Sequence, residues 1–152
     1  MSGAVDWRVL FHPLFRERYE ALRIAARKIG SRVPKEEARQ HPTVKLLAAV
    51  NQLLTQTIPA DPNAPDFRLV GDLRKFRRAH GYGLPARYRL FWIFSSARHV
   101  VIALYLNDVD TLRQSGSSTD PYAAFARLIE RGEIGADFAA NWEIVEAEQK
   151  RG

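Results

Sequence analysis

Apolar residues first recur along this chain with a helical period. Phe15, Tyr19, Leu22, Ala26 and Ile29 fall at i, i+4, i+7, i+11 and i+14, which is one face of a helix. Pro13 suits its first turn and Gly30 its end. Ahead of it, WRVLF at 7–11 reads as a short strand or an extended entry. A polar stretch follows at 31–41, with room for a helical turn at KEEAR. Pro42 then opens a second amphipathic helix carrying Leu46, Leu47, Val50, Leu53, Leu54 and Ile58. Pro59, Pro62 and Pro65 predict a stiff, non-helical connection after it.

Beyond residue 70 the period shortens. Residues 73–78 alternate weakly, and YRLFWIF at 88–94 reads as an aromatic-rich strand. VVIALYL at 100–106 is almost continuously apolar and predicts a buried central strand. SSARH between them is a link of hairpin length. Helical spacing then returns. Asp120 is a candidate N-cap and Pro121 the first helical residue; Tyr122, Phe125, Ala126 and Ile129 form the apolar face, and Gly132 ends it. Phe138, Trp142 and Val145 predict a last short helix, with a frayed, charged tail at 146–152. The order predicts an α+β chain forming one domain over 1–152. Two N-terminal helices pack on a small antiparallel sheet, and one or two helices close the chain.

Composition narrows the chemistry. The chain has 152 residues, a 46% hydrophobic fraction and no cysteine, so disulfide frameworks, zinc–thiolate sites and thiol nucleophiles are excluded. No apolar run approaches the roughly 18 residues of a membrane span. The N-terminus carries acidic Asp6 where a secretory leader would be apolar, so a cytoplasmic location is expected. Charge changes the picture more. The formal net charge is +6. Residues 68–89 alone hold seven bases, Arg68, Arg74, Lys75, Arg77, Arg78, Arg87 and Arg89, against the single acid Asp72. One short segment therefore carries the whole excess. A solvated edge strand is the plain explanation of such a run. Its concentration favours a site for a polyanion such as nucleic acid.

Strand alternation gives that site an expected shape. Lys75 and Arg77 share one face of RKFRR, and Arg74, Phe76 and Arg78 the other. If 88–94 pairs back through HGYGLPA, Arg89 joins Lys75 and Arg77. Three converging cations without an acid call for phosphate, which arginine grips through paired N–H donors. Asn107, Asp108 and Asp110 leave the buried strand in a loop; they read as ordinary turn residues more readily than as metal ligands. Arg113 in that loop extends the cationic surface. The histidines stand at 12, 41, 80 and 99 with no ligand spacing. His12 and His41 each precede a proline at a helix start and read as structural. His80 alone lies in the basic segment, as a candidate acid or base.

Several ordered segments carry a family likeness. They are HPLF at 12–15, KLLAAV at 45–50, PDFRLVGDL at 65–73, ARYRLFW at 86–92, the ND-xx-TLR-xx-G pattern at 107–116, TDPYAAF at 119–125 and LIERG at 128–132. Together the set resembles the YhaV toxins of bacterial type II toxin–antitoxin systems, within the RelE/ParE-like superfamily. The resemblance implies a ribosome-associated endoribonuclease that cleaves messenger RNA without a metal or other cofactor, by attack of a ribose 2′-hydroxyl. It implies a PrlF-like antitoxin of the AbrB type as partner, and contact with operator DNA only through that complex. It places site residues at Arg89, Lys75, Arg77, Arg113 and Tyr122, and the charge of the segment adds Arg68, Arg74, Arg78 and Arg87 as further RNA contacts. Tyr122 reads equally as a core residue of its helix, and Tyr122, His80 and Arg113 all stand as candidates to protonate the leaving group. A gyrase-inhibiting toxin of the ParE type, and a non-catalytic module that binds nucleic acid or antitoxin, are the competing readings.

Overall fold

The structure is a computed structural model and describes residues 6–107 and 120–151. Four strands, β1 (Arg8–Phe11), β2 (Arg77–Ala79), β3 (Leu90–Ser95) and β4 (Val100–Leu106), make one sheet in the order β1-β4-β3-β2. β3 pairs antiparallel with both of its neighbours, but β1 runs parallel to β4, Arg8 opposite Val100. The expected antiparallel sheet is therefore mixed. Parallel pairing needs a long connection, and the chain from residue 12 to 99 supplies one.

Helices α1 (Pro13–Arg32), α2 (Lys35–Gln40) and α3 (Pro42–Gln52) precede β2, and α4 (Pro121–Glu130) and α5 (Phe138–Arg151) follow β4. Three of them start alike, with a capping side chain followed by proline. His12 Nδ1 accepts from the Leu14 N–H at 3.0 Å, His41 Nδ1 from Thr43 at 3.1 Å, and Asp120 from Tyr122 at 2.9 Å. Both histidines are thus caps, as their place before a proline predicted. α4 stops as expected at Gly132 (φ +75), where the Gly132 and Glu133 N–H groups return to the Ile129 and Leu128 carbonyls.

Alternation along the strands builds a core on each side of the sheet. Leu90 and Trp92 of β3, with Val101 and Ala103 of β4, face Phe15, Leu22, Leu46 and Val50 of α1 and α3. Phe91, Ile93, Ile102 and Leu104 face Phe125 of α4 and Val145 of α5. Phe91 stacks on Phe125 at 4.2 Å between ring centres. The N-terminal and C-terminal helices therefore cover opposite faces.

Four local expectations need correction. Gly30 lies inside α1, which stops at extended Val33, where Pro34 bars further helix. Pro59 does not break the helix before it. A π-helical turn over Leu53–Thr57 leads into a helical turn at Ile58–Ala60, and the wider turn makes room for a ring that would press on the carbonyl four residues back. The tail expected to fray from 146 is helical to Arg151, and Glu148 on it pairs with Arg16 at 2.8 Å. The basic stretch 73–78 is mostly not a strand. Gly71–Leu73 form a 3-10 turn and the Phe76 N–H folds back to the Leu73 carbonyl, so β2 begins only at Arg77.

Candidate active site

The short β2 decides which cations meet. Arg77 lies opposite Trp92 and Arg78 opposite Phe91. Arg77 is thus on the α1/α3 side, its guanidinium 5.3 Å from the centre of the Phe94 ring. Its Nε donates to Asn63 Oδ1 at 2.9 Å and its Nη1 to the Arg74 and Phe76 carbonyls at 2.9 and 2.8 Å. Burial first, and the neighbouring Arg68 charge second, pull this guanidinium below its ordinary value. Its bonds hold the turn before β2 in place. Lys75 stands exposed on that turn. The expected convergence of Lys75, Arg77 and Arg89 on one face is therefore corrected: the alternation that implied it needs a strand that begins earlier than this one does.

Arg78 takes the place beside Arg89. Both guanidinium groups lie over the Tyr122 ring, 5.8 Å and 6.0 Å from its centre. Arg89 Nε donates to the Tyr122 hydroxyl at 3.3 Å, and Arg89 Nη1 donates to the Ala86 and Tyr88 carbonyls at 2.6 and 3.0 Å. Arg78 Nη1 reaches the Asp66 carbonyl at 3.3 Å, while its Nε is buried with no hydrogen-bond partner. Tyr122 is half-buried, its ring edge-on to Phe91 at 5.7 Å. It serves the core and the cation pair together, so the two readings of this residue are not exclusive.

Arg89 sits just before β3, and a buried amide holds it there. Asn107, immediately after β4, has 0% exposure. Its Oδ1 accepts from the Arg89 N–H at 2.6 Å, and its Nδ2 donates to the Arg87 carbonyl at 2.8 Å. The two backbone groups leave the amide only one orientation. Sequence reasoning took Asn107 for a turn residue. The available signal was its place at the end of a fully apolar strand, where a buried polar group must find partners.

Arg68 bridges to Arg77 across a short antiparallel contact and is exposed, as are Arg74, His80 and Arg87. Asp108, Asp110 and Arg113 lie outside the described residues. Among the described residues, no Lys or Arg of 68–89 makes an ion pair with a carboxylate, although four such pairs occur elsewhere. Nor do the described residues hold a group of three His, Cys, Asp or Glu side chains arranged for a metal ion. No helix among them is long and apolar enough to cross a membrane.

Comparison with known proteins gives the chain its class. A family model described as "Toxin with endonuclease activity, of toxin-antitoxin system" matches residues 9–146. The chain is thus an endonuclease toxin of the kind countered by an antitoxin partner. It belongs to the YhaV toxin family. It is 34% identical over 148 residues to the ribonuclease toxin YhaV of Escherichia coli, covering 93% of this chain and 91% of the relative. The toxins YhaV of two further Escherichia coli strains match to the same extent. No solved structure matches.

Proposed function

We propose that the chain is an endoribonuclease that cleaves messenger RNA on the ribosome, in the cytoplasm, without a metal ion. The observation that carries this is the pair Arg78 and Arg89 on the Tyr122 ring, in a segment rich in cations that has no carboxylate partner among the described residues. Such a pair fits the non-bridging oxygens of a phosphate. The name of one Escherichia coli relative, ribonuclease toxin, supports RNA as the substrate.

In this reading Arg89 and Arg78 hold the scissile phosphate and stabilise the charge that grows on it. A base removes the 2′-hydroxyl proton, O2′ bonds to phosphorus, and the bond to O5′ breaks. O5′ leaves with a proton from an acid, giving a 2′,3′-cyclic phosphate and a 5′-hydroxyl end. Tyr122 is the acid. Its oxygen already accepts from Arg89, which leaves its own O–H proton free for O5′. His80 is the base. It lies exposed immediately after β2, two residues beyond Arg78, and imidazole is the side chain that can take a proton near neutral pH. Lys75, Arg68, Arg74 and Arg87 are exposed contacts for the RNA backbone. Arg113 is an RNA contact on the same reading.

A small sheet with N-terminal helices on one face and C-terminal helices on the other supports membership of the RelE/ParE-like superfamily. The antitoxin is of the PrlF-like, AbrB type, and operator DNA is met through the toxin–antitoxin complex. Primer extension on one defined messenger RNA, in EDTA, with and without ribosomes, tests the activity. Cuts made by the wild type and lost in folded Arg89→Ala support it. Absence of cuts in both conditions, or cuts that persist in Arg89→Ala, overturns the assignment and leaves a gyrase-directed or purely binding role.

A further inference from the structure

One residue next to the cation pair is an unusual choice for the backbone its turn imposes: the Leu84 N–H closes on the Gly81 carbonyl at 2.9 Å, and such a turn needs positive φ at both central positions, where glycine or asparagine is the ordinary residue. Tyr82 stands at φ +56, between Gly81 at φ +90 and Gly83 at φ +88. A bulky non-glycine residue in the left-handed region is an outlier that costs on the order of 1 kcal/mol or more. What it gains in packing is small. The ring meets Phe67 at 5.4 Å between centres, and the residue remains 42% exposed. It is one of only a few large hydrophobic or aromatic residues exposed among the described ones, and the others, Ile24 and Val70, are aliphatic.

Its orientation is nevertheless fixed. The Tyr82 hydroxyl donates a short hydrogen bond to the Asp66 carboxylate. That bond first, and burial second, raise the phenol above its ordinary value. The same Asp66 accepts Arg78 Nη1 on its carbonyl. Contacts therefore run without a break from Arg89 to Tyr122, to Arg78, to Asp66 and to Tyr82. An aromatic ring is held rigid and open at the end of a row of phosphate-seeking cations. This is the arrangement that single-stranded nucleic acid uses, with a cationic track for the backbone and a ring for a base.

We infer that Tyr82 is a stacking platform for one nucleobase of a single-stranded RNA whose phosphates lie on Arg78 and Arg89. The inference rests on the RNA reading above and adds a base subsite to it. Stacking on an aromatic side chain discriminates weakly among bases, so this subsite fixes register along the strand more than sequence.

The test uses the full-length protein and fully 2′-O-methylated RNA, which lacks the attacking hydroxyl, with 2-aminopurine placed at each position in turn. Stacking quenches 2-aminopurine fluorescence. The expected result is quenching at one position with wild type and with Tyr82→Phe, and none with Tyr82→Ala or Tyr82→Asn. Both ring-less variants should bind about 5- to 150-fold more weakly, the range that loss of one stacked base gives. The slope of log Kd against log salt should not change in them, because no phosphate contact is lost. Arg78→Ala should reduce that slope by about 0.7. Tyr82→Asn separates ring from backbone, since asparagine tolerates the left-handed region. Wild-type quenching in Tyr82→Asn would show that only the loop conformation matters and would overturn the inference. RNA binding with a normal salt slope but no quenching at any position would overturn it alone. No RNA binding at all would overturn the proposed function with it. A Tyr82→Ala defect confined to antitoxin binding would reassign the ring to the protein partner.

Discussion

Replacing Asn107 by aspartate changes one NH2 group to an oxygen and should convert the support of Arg89 into a pH-dependent one. The side chain is fully buried, and its Nδ2 donates to the Arg87 carbonyl at 2.8 Å. An ionised carboxylate there sets an oxygen against that carbonyl oxygen and loses the bond. The orphaned carbonyl alone costs about 1–3 kcal/mol. Burying the charge adds to this, by up to several kcal/mol before relaxation. Against it stands the Arg89 N–H, already 2.6 Å from Oδ1, whose bond strengthens by about 1 kcal/mol when its acceptor is charged. The Arg89 guanidinium makes no hydrogen bond to the Asn107 side chain; its Nε and Nη1 go to Tyr122, Ala86 and Tyr88. The unfavourable contributions win, so the introduced carboxyl has a raised pKa. Protonated, it restores the native pattern, with one oxygen accepting from Arg89 and an O–H donating to Arg87. The sign follows: the folded state binds the proton more tightly than the unfolded one, so stability falls as pH rises from the ordinary carboxylate range to the raised folded value. Urea unfolding of Asn107→Asp should show a deficit of about 1–3 kcal/mol at pH 7.5 that shrinks toward pH 4.5. Asn107→Ala orphans the Arg89 N–H as well as the Arg87 carbonyl and should show a deficit of about 2–6 kcal/mol that does not vary with pH relative to wild type. The rate of RNA cleavage by the folded protein should follow the same curve in Asn107→Asp. Equal, pH-independent deficits in the two variants, or wild-type stability of Asn107→Asp at pH 7.5, would refute the argument.

Three further outcomes follow from other parts of the molecule. Tyr122→Phe keeps the ring under both guanidinium groups but loses the hydroxyl, so single-turnover cleavage should fall about 10²–10⁴-fold while RNA affinity stays the same. An unchanged rate removes Tyr122 from proton transfer. His12 is held below its ordinary value of 6.5, first by burial, and caps α1 through an unprotonated Nδ1. The unfolded chain binds that proton more readily, so stability contributed by His12 is present above 6.5 and lost as pH falls through the folded value; His12→Asn, which can still cap, should flatten that limb of the stability–pH curve. Gly135→Ala would place a Cβ 2.6 Å from that of Ala140 and 2.9 Å from the Asn141 nitrogen, at the start of α5. Since much of that obstruction is backbone, the urea midpoint should drop by the equivalent of about 1–3 kcal/mol.

How much of this was readable from the chain turns on strand phase. Helix starts were legible because a capping side chain followed by proline is a local signal, and His12, His41 and Asp120 each act as it implies. The strands β3 and β4 were legible as apolar runs. The cationic segment was legible too, but Arg77 was expected beside Arg89, where the structure puts Arg78. Alternation turns sequence parity into faces only where the strand's limits and register are known, and a one-residue slip exchanges the two faces. Both were hidden. A 3-10 turn removes Lys75 from β2, which leaves a strand of three residues, Arg77–Ala79, to set the phase. The second obstacle lies in β4. Its partners step from Ala103 opposite Trp92 to Tyr105 opposite Phe91, so Leu104 is an extra residue. Both Leu104 and Tyr105 then pack on the α4/α5 side, while Leu106 returns to the α1/α3 side opposite Leu90. In VVIALYL every position is apolar, so nothing in the sequence marks where alternation skips. Yet that skip brings Asn107 opposite Arg89 and lets its amide reach both Arg87 and Arg89. The residue that fixes the candidate arginine is thus placed by an irregularity in the one strand whose uniform hydrophobicity conceals irregularity.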